Sequence, residues 1–399
     1  MKIASSSLGP QITLLSLIRL VMNVSVRMIY PFLPIFASGL GVSVTSLSLA
    51  ISTRSLIGTL NPLVSSAITD RRGRKTGMLT GIGLFVIANL AVVFWPSFPV
   101  LFASMTVSLF GMLIFMSAMQ AYMADEIAYE RRGRALALSE LAWSVSYFIG
   151  MPVVAFLLSR FGWVGPFPAL AGLGLVSFVL VARLVPRTPP VASKNKSNLA
   201  DLRRILTYPP ALMALCMCML FSASNELLNV VFGVWMKGTF GLEIAGLGLA
   251  STIIGIAELC GEAVVALVVD RLGKVRSIRS GLVLSTLAVI MLFLWGRTVV
   301  SALVILFIYV LGYETMAVSN LPLMSEVMPE ARATMLGLMV AFFSIGRAIT
   351  ALLAVPIYNY GFQYTILAIV CVNIVAFILL YLVKVTNPHL NPSVEASGQ

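Results

Sequence analysis

Charged residues are scarce in this sequence. They make up 11% of the 399 residues, whereas hydrophobic residues make up 59%. A soluble globular domain carries roughly 25% charged residues. The shortage excludes an ordinary soluble domain and predicts a protein that crosses the lipid bilayer many times. Such a protein is predicted to be all-α, because backbone groups in lipid must be hydrogen-bonded within their own segment.

Histidine and cysteine are also rare, and their placement excludes several kinds of site. The one histidine, His389, lies near the end of the chain. The sequence has no His/Cys cluster with metal-ligand spacing, no nucleophile triad and no Walker-type glycine loop. We therefore predict no enzyme activity, no metal and no cofactor. The four cysteines fall in apolar stretches and are interpreted as small apolar side chains: Cys216, Cys218, Cys260 and Cys371.

Acidic residues number 15 against 27 Lys and Arg, which gives a net charge of +12. Outside the apolar stretches, the basic residues concentrate in alternate loops. Only Arg160, Lys237 and Arg297 fall in the intervening loops. Cytoplasmic loops of membrane proteins carry such an excess of Lys and Arg. The positive charge therefore indicates orientation in the membrane, and nucleic acid is not a predicted partner.

Apolar stretches near the ~20 residues that cross a bilayer recur twelve times along the chain. They cover 11–37, 44–68, 76–95, 98–123, 135–158, 163–184, 209–236, 244–269, 280–296, 299–324, 334–357 and 362–384. An even number of spans and a basic first loop place both termini in the cytoplasm, with the protein in the inner (plasma) membrane. The first stretch is interpreted as a retained span and not as a cleaved signal.

The chain contains an internal repeat with an offset of 200 residues. The loop Asp70-Arg71-Arg72-Gly73-Arg74-Lys75 is matched by Asp270-Arg271-Leu272-Gly273-Lys274, and Glu126 by Glu326. Two landmarks with one offset indicate two homologous halves. The predicted organisation is a bundle over 1–185, a polar linker over 186–208 with a short surface helix near 199–206, a second bundle over 209–385 and a tail over 386–399.

Six plus six spans and the repeated charged loop resemble the major facilitator superfamily. The resemblance implies two six-helix bundles that rock about a central cavity, so that the cavity opens alternately to each side. It also implies that the loops act as a gating latch on the cytoplasmic side, with Asp125 as an acidic partner at the inner end of span four. Ser66 departs from the family pattern, which usually has glycine there. The residues assigned to the latch are Asp70, Arg71, Gly73, Arg74, Asp125, Asp270, Arg271 and Gly273.

Two further motifs resemble the drug:proton antiporters of this superfamily. Pro31 and Pro34 look like a proline pair in span one, and Gly150-Met151-Pro152 looks like a degraded form of a glycine-proline motif in span five. Span four, however, contains no arginine, although many proton antiporters carry one there. The antiporter-like group is therefore the favoured subgroup.

Ionisable residues inside the apolar spans are costly and are candidates for function. Arg19, Asn23 and Arg27 are spaced four apart on span one and should share one helix face. Helical rise places Arg27, Arg54 and Glu226 about 15–16 Å from the outer surface, near the middle of the bilayer. The substrate and coupling candidates are Asn23, Arg27, Arg54, Glu226, Glu258, Glu314 and Arg347. Glu262 shares a face with Glu258, and Glu140 falls near the interface.

These charges allow two interpretations. In the first, they are structural ion pairs, with Arg27 or Arg54 bound to Glu226, and Arg347 bound to Glu258 or Glu314. In the second, they line a cavity, where one Glu carries protons and an Arg binds an anionic substrate or tunes that Glu. Glu226 is the first choice as proton carrier, because Arg27 occupies nearly the equivalent place in the other half. Six aromatic residues are candidates for lining the cavity: Tyr30, Trp143, Tyr147, Trp235, Tyr309 and Tyr313.

The sequence thus predicts a monomeric secondary transporter that moves a small organic solute by alternating access, with proton-coupled efflux favoured. One alternative is an organic-anion symporter or exchanger that uses the intramembrane arginines. Another is a membrane receptor or scaffold that kept the fold and lost transport.

Overall fold

The computed structural model of the chain describes residues 8–60, 73–127, 129–186 and 199–383. Its regular elements are helices, and no strand occurs within these ranges. Eleven helices are long and apolar enough to cross a membrane, or up to twelve if the bent pair Leu33–Leu40 and Val44–Gly58 is counted as one span. The predicted all-α membrane fold is confirmed.

In its described residues, the first half contains eight helices and one π-helical turn. They are α1 Leu8–Arg27, α2 Leu33–Leu40, α3 Val44–Gly58, α4 Arg74–Phe94, α5 Phe98–Glu126, α6 Tyr129–Val145, the π-helical turn Ser146–Gly150, α7 Met151–Phe161 and α8 Pro166–Leu184. The π-helical turn joins α6 and α7 without a break.

The second half follows a short surface helix, α9 Leu199–Thr207, which confirms the helix expected in the linker. The six long helices are α10 Pro209–Phe240, α11 Ile244–Leu272, α12 Lys274–Trp295, α13 Val299–Val327, α14 Arg332–Asn359 and α15 Phe362–Leu382. A 3-10 turn, Pro329–Ala331, precedes α14. Most of the linker and the tail lie outside the described residues.

Local sequence signals set several helix ends. The Ser43 hydroxyl accepts a hydrogen bond from the Ser46 N–H at 3.0 Å and caps the start of α3. Thr298 forms a capping box with Ser301 at the start of α13. Such caps satisfy N–H groups that have no partner within the helix. The short connections after α2 and α12 are therefore followed by well-defined new helices.

Span one is not one continuous helix, and the prediction of a single stretch over 11–37 was wrong in this respect. The helix stops at Arg27, runs through turns at 28–32 and resumes as α2. Pro31 lacks a backbone N–H, and its ring is incompatible with a regular helix interior. A Cβ on Gly233 would overlap the carbonyl of Pro31, so α10 packs directly against the broken segment. The break places Tyr30 between the two halves of the molecule.

The internal repeat is visible in the backbone. Gly73 and Gly273 have φ of 86° and 80°, a region that favours glycine, and each immediately precedes a long helix. In both halves the next two helices cross at a pair of glycines. A Cβ on Gly81 would lie 2.5 Å from the Gly111 carbonyl oxygen, and one on Gly281 would lie 2.6 Å from that of Gly312. The two halves are therefore built from the same packing contacts.

The two ends of the bundle differ in how the halves meet. We call the end that carries the linker and the two repeated charged loops the linker side, and the other end the opposite side. Near the opposite side α3 packs against α14, where the Ser52 hydroxyl donates to the Ala348 carbonyl at 2.6 Å. Also near that side α7 packs against α11, where a Cβ on Gly248 would lie 2.7 Å from the Cβ of Ala155. Among the described residues, no hydrogen bond or ion pair between the halves lies closer to the linker side than the one between Ser144 and Glu262. The structure is therefore closed on the opposite side.

Candidate functional site

One face of α1 presents its polar residues to α6, as their spacing predicted. Arg19 donates to the Glu140 carboxylate at 2.8 Å and to the Ser139 hydroxyl at 3.2 Å. The Arg19 side chain is 3% exposed, whereas that of Glu140 is 51% exposed, so Glu140 reaches water while it neutralises a buried cation. Two turns further along the same face, Arg27 also reaches the α6 region. The Arg19–Glu140 pair ties α1 to α6 within the first half.

Arg27 forms a two-point ion pair with Glu258 of the other half. One guanidinium nitrogen lies 3.0 Å from Glu258 Oε2, and the second donates to Oε1. The guanidinium lies 4.1 Å from the ring centre of Trp143 and 3.7 Å from that of Tyr147. Arg27 and Glu258 are 4% and 5% exposed. Buried charges need paired, hydrogen-bonded partners, and the fork of Arg supplies two parallel bonds to a carboxylate.

The π-helical turn supplies a further acceptor for Arg27, the Ser146 hydroxyl at 3.3 Å. Pro152 has no N–H to donate to the carbonyl of Phe148, so regular α-helical bonding is interrupted just beyond this turn. A π-helical turn widens the helix and shifts its hydrogen bonds by one residue. The Trp143 carbonyl accepts from Arg27 at 2.6 Å and also from the Ser146 hydroxyl. The Gly150-Met151-Pro152 motif therefore shapes the binding site of Arg27.

Tyr30 is the centre of a second polar network. Its hydroxyl donates to Glu226 Oε1 at 2.8 Å and accepts from Arg347 at 2.9 Å and from Arg54 at 3.2 Å. A phenol hydroxyl has one donor and two acceptor positions, so all three are used. Arg347 also donates to Glu226 Oε2 at 2.9 Å, and Arg54 donates to the Val26 carbonyl at 3.2 Å. This network connects α1, α3, α10 and α14.

The predicted pairing of these charges was wrong. Glu226 binds Arg347 and not Arg27 or Arg54, and Glu258 binds Arg27 and not Arg347. Glu226 and Arg347 lie on α10 and α14, which pack side by side within the second half. Tyr30 lies between Arg54 and Glu226, and the polar face of α1 turns Arg27 toward α6. These packing relations depend on the break in span one, which span lengths alone did not indicate.

Glu314, Glu262 and Asn23 have fewer partners than the paired residues. Among the described residues, Glu314 has no hydrogen-bond or ion-pair partner, although it is only 8% exposed. The charges that act on it are those of Glu258, Glu262 and Arg27. Glu262 accepts one hydrogen bond, from the Ser144 hydroxyl at 2.7 Å. Asn23 is fully buried, and neither polar atom of its amide has a hydrogen-bond partner.

Two ion pairs lie at the linker side, one in each half. Arg74 donates to Asp125 at 3.1 Å, and Lys274 binds Glu326 in the equivalent place. The contact expected between the latch loop and Asp125 is therefore present. The pairs align Asp125 with Glu326, so the predicted match between Glu126 and Glu326 was wrong by one residue. Asp70 and Arg71, and the side chains of Asp270 and Arg271, lie outside the described residues.

Some residues of the site were not predicted as such. The Arg19–Glu140 pair and the serines of α6 were not proposed, and Tyr30 was only one of six aromatic candidates. The signal available for the serines was the recurrence of polar residues inside an apolar span: Ser139, Glu140, Ser144 and Ser146. Trp235 instead stacks on Phe362 at 4.3 Å and belongs to helix packing. Within the described part of the chain, no three His, Cys, Asp or Glu side chains converge on a possible metal site.

The sequence matches the family model described as Major Facilitator Superfamily over residues 15–329 and 214–399. The chain belongs to the major facilitator superfamily. It is a multi-pass membrane protein, with 11 or up to 12 candidate spans in its described part. The antiporter-like subgroup stays a prediction.

Several curated relatives of this superfamily member come from bacteria. The chain is 24% identical over 260 residues to the uncharacterised MFS-type transporter YceJ of Bacillus subtilis, which covers 64% of this chain and 65% of that protein. It is 25% identical over 298 residues to the purine ribonucleoside efflux pump NepI of Salmonella paratyphi B, with 72% of each covered. The alignments thus span somewhat less than two thirds of the first two relatives, at 65% and 57% of their length.

Solved structures share the fold over almost the whole chain. A bacterial homologue of the human lysosomal transporter Spinster, in an inward-facing and unoccupied conformation, gives a TM-score of 0.80 at 12% identity, covering 96% of this chain and 100% of that one. A D-xylose-proton symporter gives a TM-score of 0.76 at 17% identity, covering 94% and 97%. At this level of identity the similarity shows the major facilitator fold.

Proposed function

We propose that this protein is a proton-coupled exporter of a small organic solute in the bacterial inner membrane, with the linker side and both termini in the cytoplasm. The basic loops of the linker side support this orientation. The NepI relative, a purine ribonucleoside efflux pump by name, supports export and makes purine ribonucleosides the first substrates to test. The observation that carries the proposal is the ion pair between Arg27 and Glu258.

Arg27–Glu258 is the one ion pair among the described residues that joins the two halves. Of the other described pairs, Arg204–Glu330 joins the linker helix to the second half. The rest lie within one half: Arg19–Glu140, Arg74–Asp125, Lys274–Glu326 and Arg347–Glu226. Rocking of the halves that opens the opposite side must stretch or break a contact between them. Breaking a buried pair while both partners stay charged is costly. The charged pair therefore holds the empty transporter closed on the opposite side.

A proton and a substrate can each release this pair. Protonation of Glu258 removes its negative charge, and a substrate that binds Arg27 or Glu258 supplies a replacement partner. Because both ligands act on the same pair, each can allow the halves to move, and binding of one excludes the other. The empty, unprotonated transporter stays closed on the opposite side, which prevents a leak. Competition of this kind couples export of solute to import of protons.

Glu262 and Glu314 provide a route for protons between Glu258 and water on the linker side. Glu262 lies one helical turn from Glu258 on α11, and Glu314 lies on the neighbouring α13. A Cβ on Gly261 would lie 2.6 Å from the Glu314 Cβ, so the glycine allows the two helices to approach. Neither carboxylate has an arginine partner among the described residues. They are therefore free to accept and pass protons.

The organic-anion alternative has less support from the geometry. Each arginine inside the spans is already engaged: Arg19 with Glu140, Arg27 with Glu258, Arg347 with Glu226, and Arg54 with the Tyr30 hydroxyl and the Val26 carbonyl. Among the groups without an ion-pair partner in the described residues, Arg54 is bound by two neutral oxygens, whereas Glu262 and Glu314 are carboxylates. A cavity with unpaired carboxylates repels anions.

The test is flux in proteoliposomes with an imposed pH gradient and a panel that starts with purine ribonucleosides. The wild-type protein should move a solute against the direction of proton flow. Glu258→Gln should lose gradient-driven transport but keep solute-for-solute exchange, because the amide removes the proton site and leaves the cavity. Glu243→Gln, an exposed residue on the opposite side, is the matched control. Transport by the wild type that ignores the pH gradient, or an unimpaired Glu258→Gln variant, would rule out this mechanism.

A further inference from the structure

A groove with a volume of about 580 Å³ lies between α11, α12 and α13, in the second half of the molecule. Its walls are mostly aliphatic: Val264, Val265, Val283, Leu284, Leu287 and Leu311. Val283 and Leu287 are 44% and 53% exposed, so the groove is open at the outer surface of the bundle. A groove with such walls in a membrane-spanning helix bundle suits an acyl chain.

Two arginines also line this groove at its linker-side end. Arg276 is exposed and Arg279 half-buried, and they lie three residues apart in the first turns of α12. Residues three apart lie near each other on a helix surface. Neither forms an ion pair with the described residues. The Arg279 guanidinium stacks over Tyr381 at 4.5 Å, but its Nε is buried and has no hydrogen-bond partner.

The internal repeat shows that the fold does not require these arginines. The positions 200 residues earlier, on the equivalent helix α4, hold Thr76 and Leu79. Both helices begin after the same glycine turn and cross their neighbour at the same glycine pair. The basic pair is therefore a property of the second half, at the linker-side end of α12.

We propose that this groove is a binding site for a membrane phospholipid with an anionic headgroup. One acyl chain lies along the aliphatic walls, and the headgroup phosphate accepts hydrogen bonds from Arg276 and Arg279, including the unpartnered Nε. Planar guanidinium groups match phosphate oxygens well, and basic pockets between membrane helices bind anionic headgroups. Chain burial gives little net driving force, since the bilayer is as apolar as the groove. The headgroup therefore determines which lipid is selected.

The experiment compares lipid binding to the purified full-length protein by native mass spectrometry, with phosphatidylglycerol and phosphatidylcholine as probes. The wild type should retain phosphatidylglycerol in preference to phosphatidylcholine. Arg276→Gln/Arg279→Gln should lower the affinity for phosphatidylglycerol by at least about tenfold, the value of one hydrogen bond between charged groups. Arg183→Gln/Arg203→Gln removes two exposed linker-side charges that do not line the groove, and should bind as the wild type does.

Two further arms separate this site from general charge attraction and from a free phosphate. Val283→Trp should weaken phosphatidylglycerol binding by filling the groove while both arginines remain, and it also serves if the double variant does not fold. Soluble glycerol phosphate should not displace the lipid, because it lacks the acyl chain. Equal retention of both lipids by the wild type, equal loss in the control variant, unchanged binding in Val283→Trp, or displacement by glycerol phosphate would each overturn the proposal.

Discussion

Glu226 and Glu258 are both buried glutamates that bind an arginine, Glu226 through Oε2 and Glu258 through both oxygens, yet the arginines come from different halves. Glu226 receives its arginine from its own half and only a tyrosine hydroxyl from the other half. Glu258 receives its arginine from the other half. A change of charge at Glu258 therefore acts directly on the contact between halves, whereas Glu226 acts through Tyr30.

Tyr30→Phe tests the second network. The change leaves the ring in place but removes the hydroxyl that serves Glu226, Arg347 and Arg54. Leaving buried polar groups without a partner costs about 1–3 kcal/mol, so the free energy of unfolding should fall by that amount. Thermal unfolding in detergent measures it. Tyr364→Phe, on a side chain that is 49% exposed, is the control; equal stability of the two variants would show that the Tyr30 hydroxyl is dispensable.

Close glycine crossings hold neighbouring helices together in each half. Helices in membranes associate largely by packing, and small residues let their backbones approach. The crossing of α4 with α5 uses Gly81 and Gly111, and that of α12 with α13 uses Gly281 and Gly312. The π-helical turn between α6 and α7 makes a polar contact instead, because the hydroxyl of its first residue, Ser146, accepts a hydrogen bond from Arg27. The crossings depend on glycine, which has no Cβ, and the π-helical turn is followed by Pro152, which has no backbone N–H.

Gly81→Ala and Gly281→Ala should each lower the free energy of unfolding by about 1–3 kcal/mol, the usual cost of overpacking. In both cases the new Cβ would meet a backbone oxygen, which has little room to move. Gly172→Ala and Gly337→Ala are the controls, since no atom lies within 4 Å of their added Cβ. Thermal unfolding in detergent again provides the comparison. If all four variants melt alike, the glycine crossings do not determine the stability of the bundle.

On the scale of the whole molecule, the sequence was sufficient for the family, the all-α fold and the internal repeat. These follow from span lengths and from charged loops that recur at a fixed offset. The break in span one was not predicted, although Pro31 and Pro34 were noticed, because proline does not reveal where the chain turns. The partners of the buried charges were not predicted either. These partners depend on which helix faces meet between the halves. An estimate of a residue's depth along a helix does not indicate how that helix is rotated about its own axis.

The contacts between the two halves differ between the opposite side, which is closed, and the linker side. Contacts between the halves near the opposite side involve backbone carbonyls and small residues, which can separate and reform. The Arg27–Glu258 pair lies deeper, one helical turn from Glu262. Among the described residues, the bond of Glu262 to Ser144 is the hydrogen bond between the halves that lies nearest the linker side. A charged contact at this depth can respond to both protons and substrate while the packing around it remains apolar.

The most direct test of this account is the distance between the halves on the opposite side, measured by pulsed electron paramagnetic resonance. Spin labels at Thr45→Cys and Asn359→Cys, both exposed, would report it after replacement of the four native cysteines. At high pH the wild type should show one short distance, and a longer distance should appear as the pH falls and Glu258 is protonated. Glu258→Gln should show the longer distance at every pH. The population of molecules at the longer distance should be about tenfold higher than in the wild type at high pH, because one charged contact is lost. A Glu258→Gln variant with the same distances and the same pH dependence as the wild type would contradict the role of this ion pair.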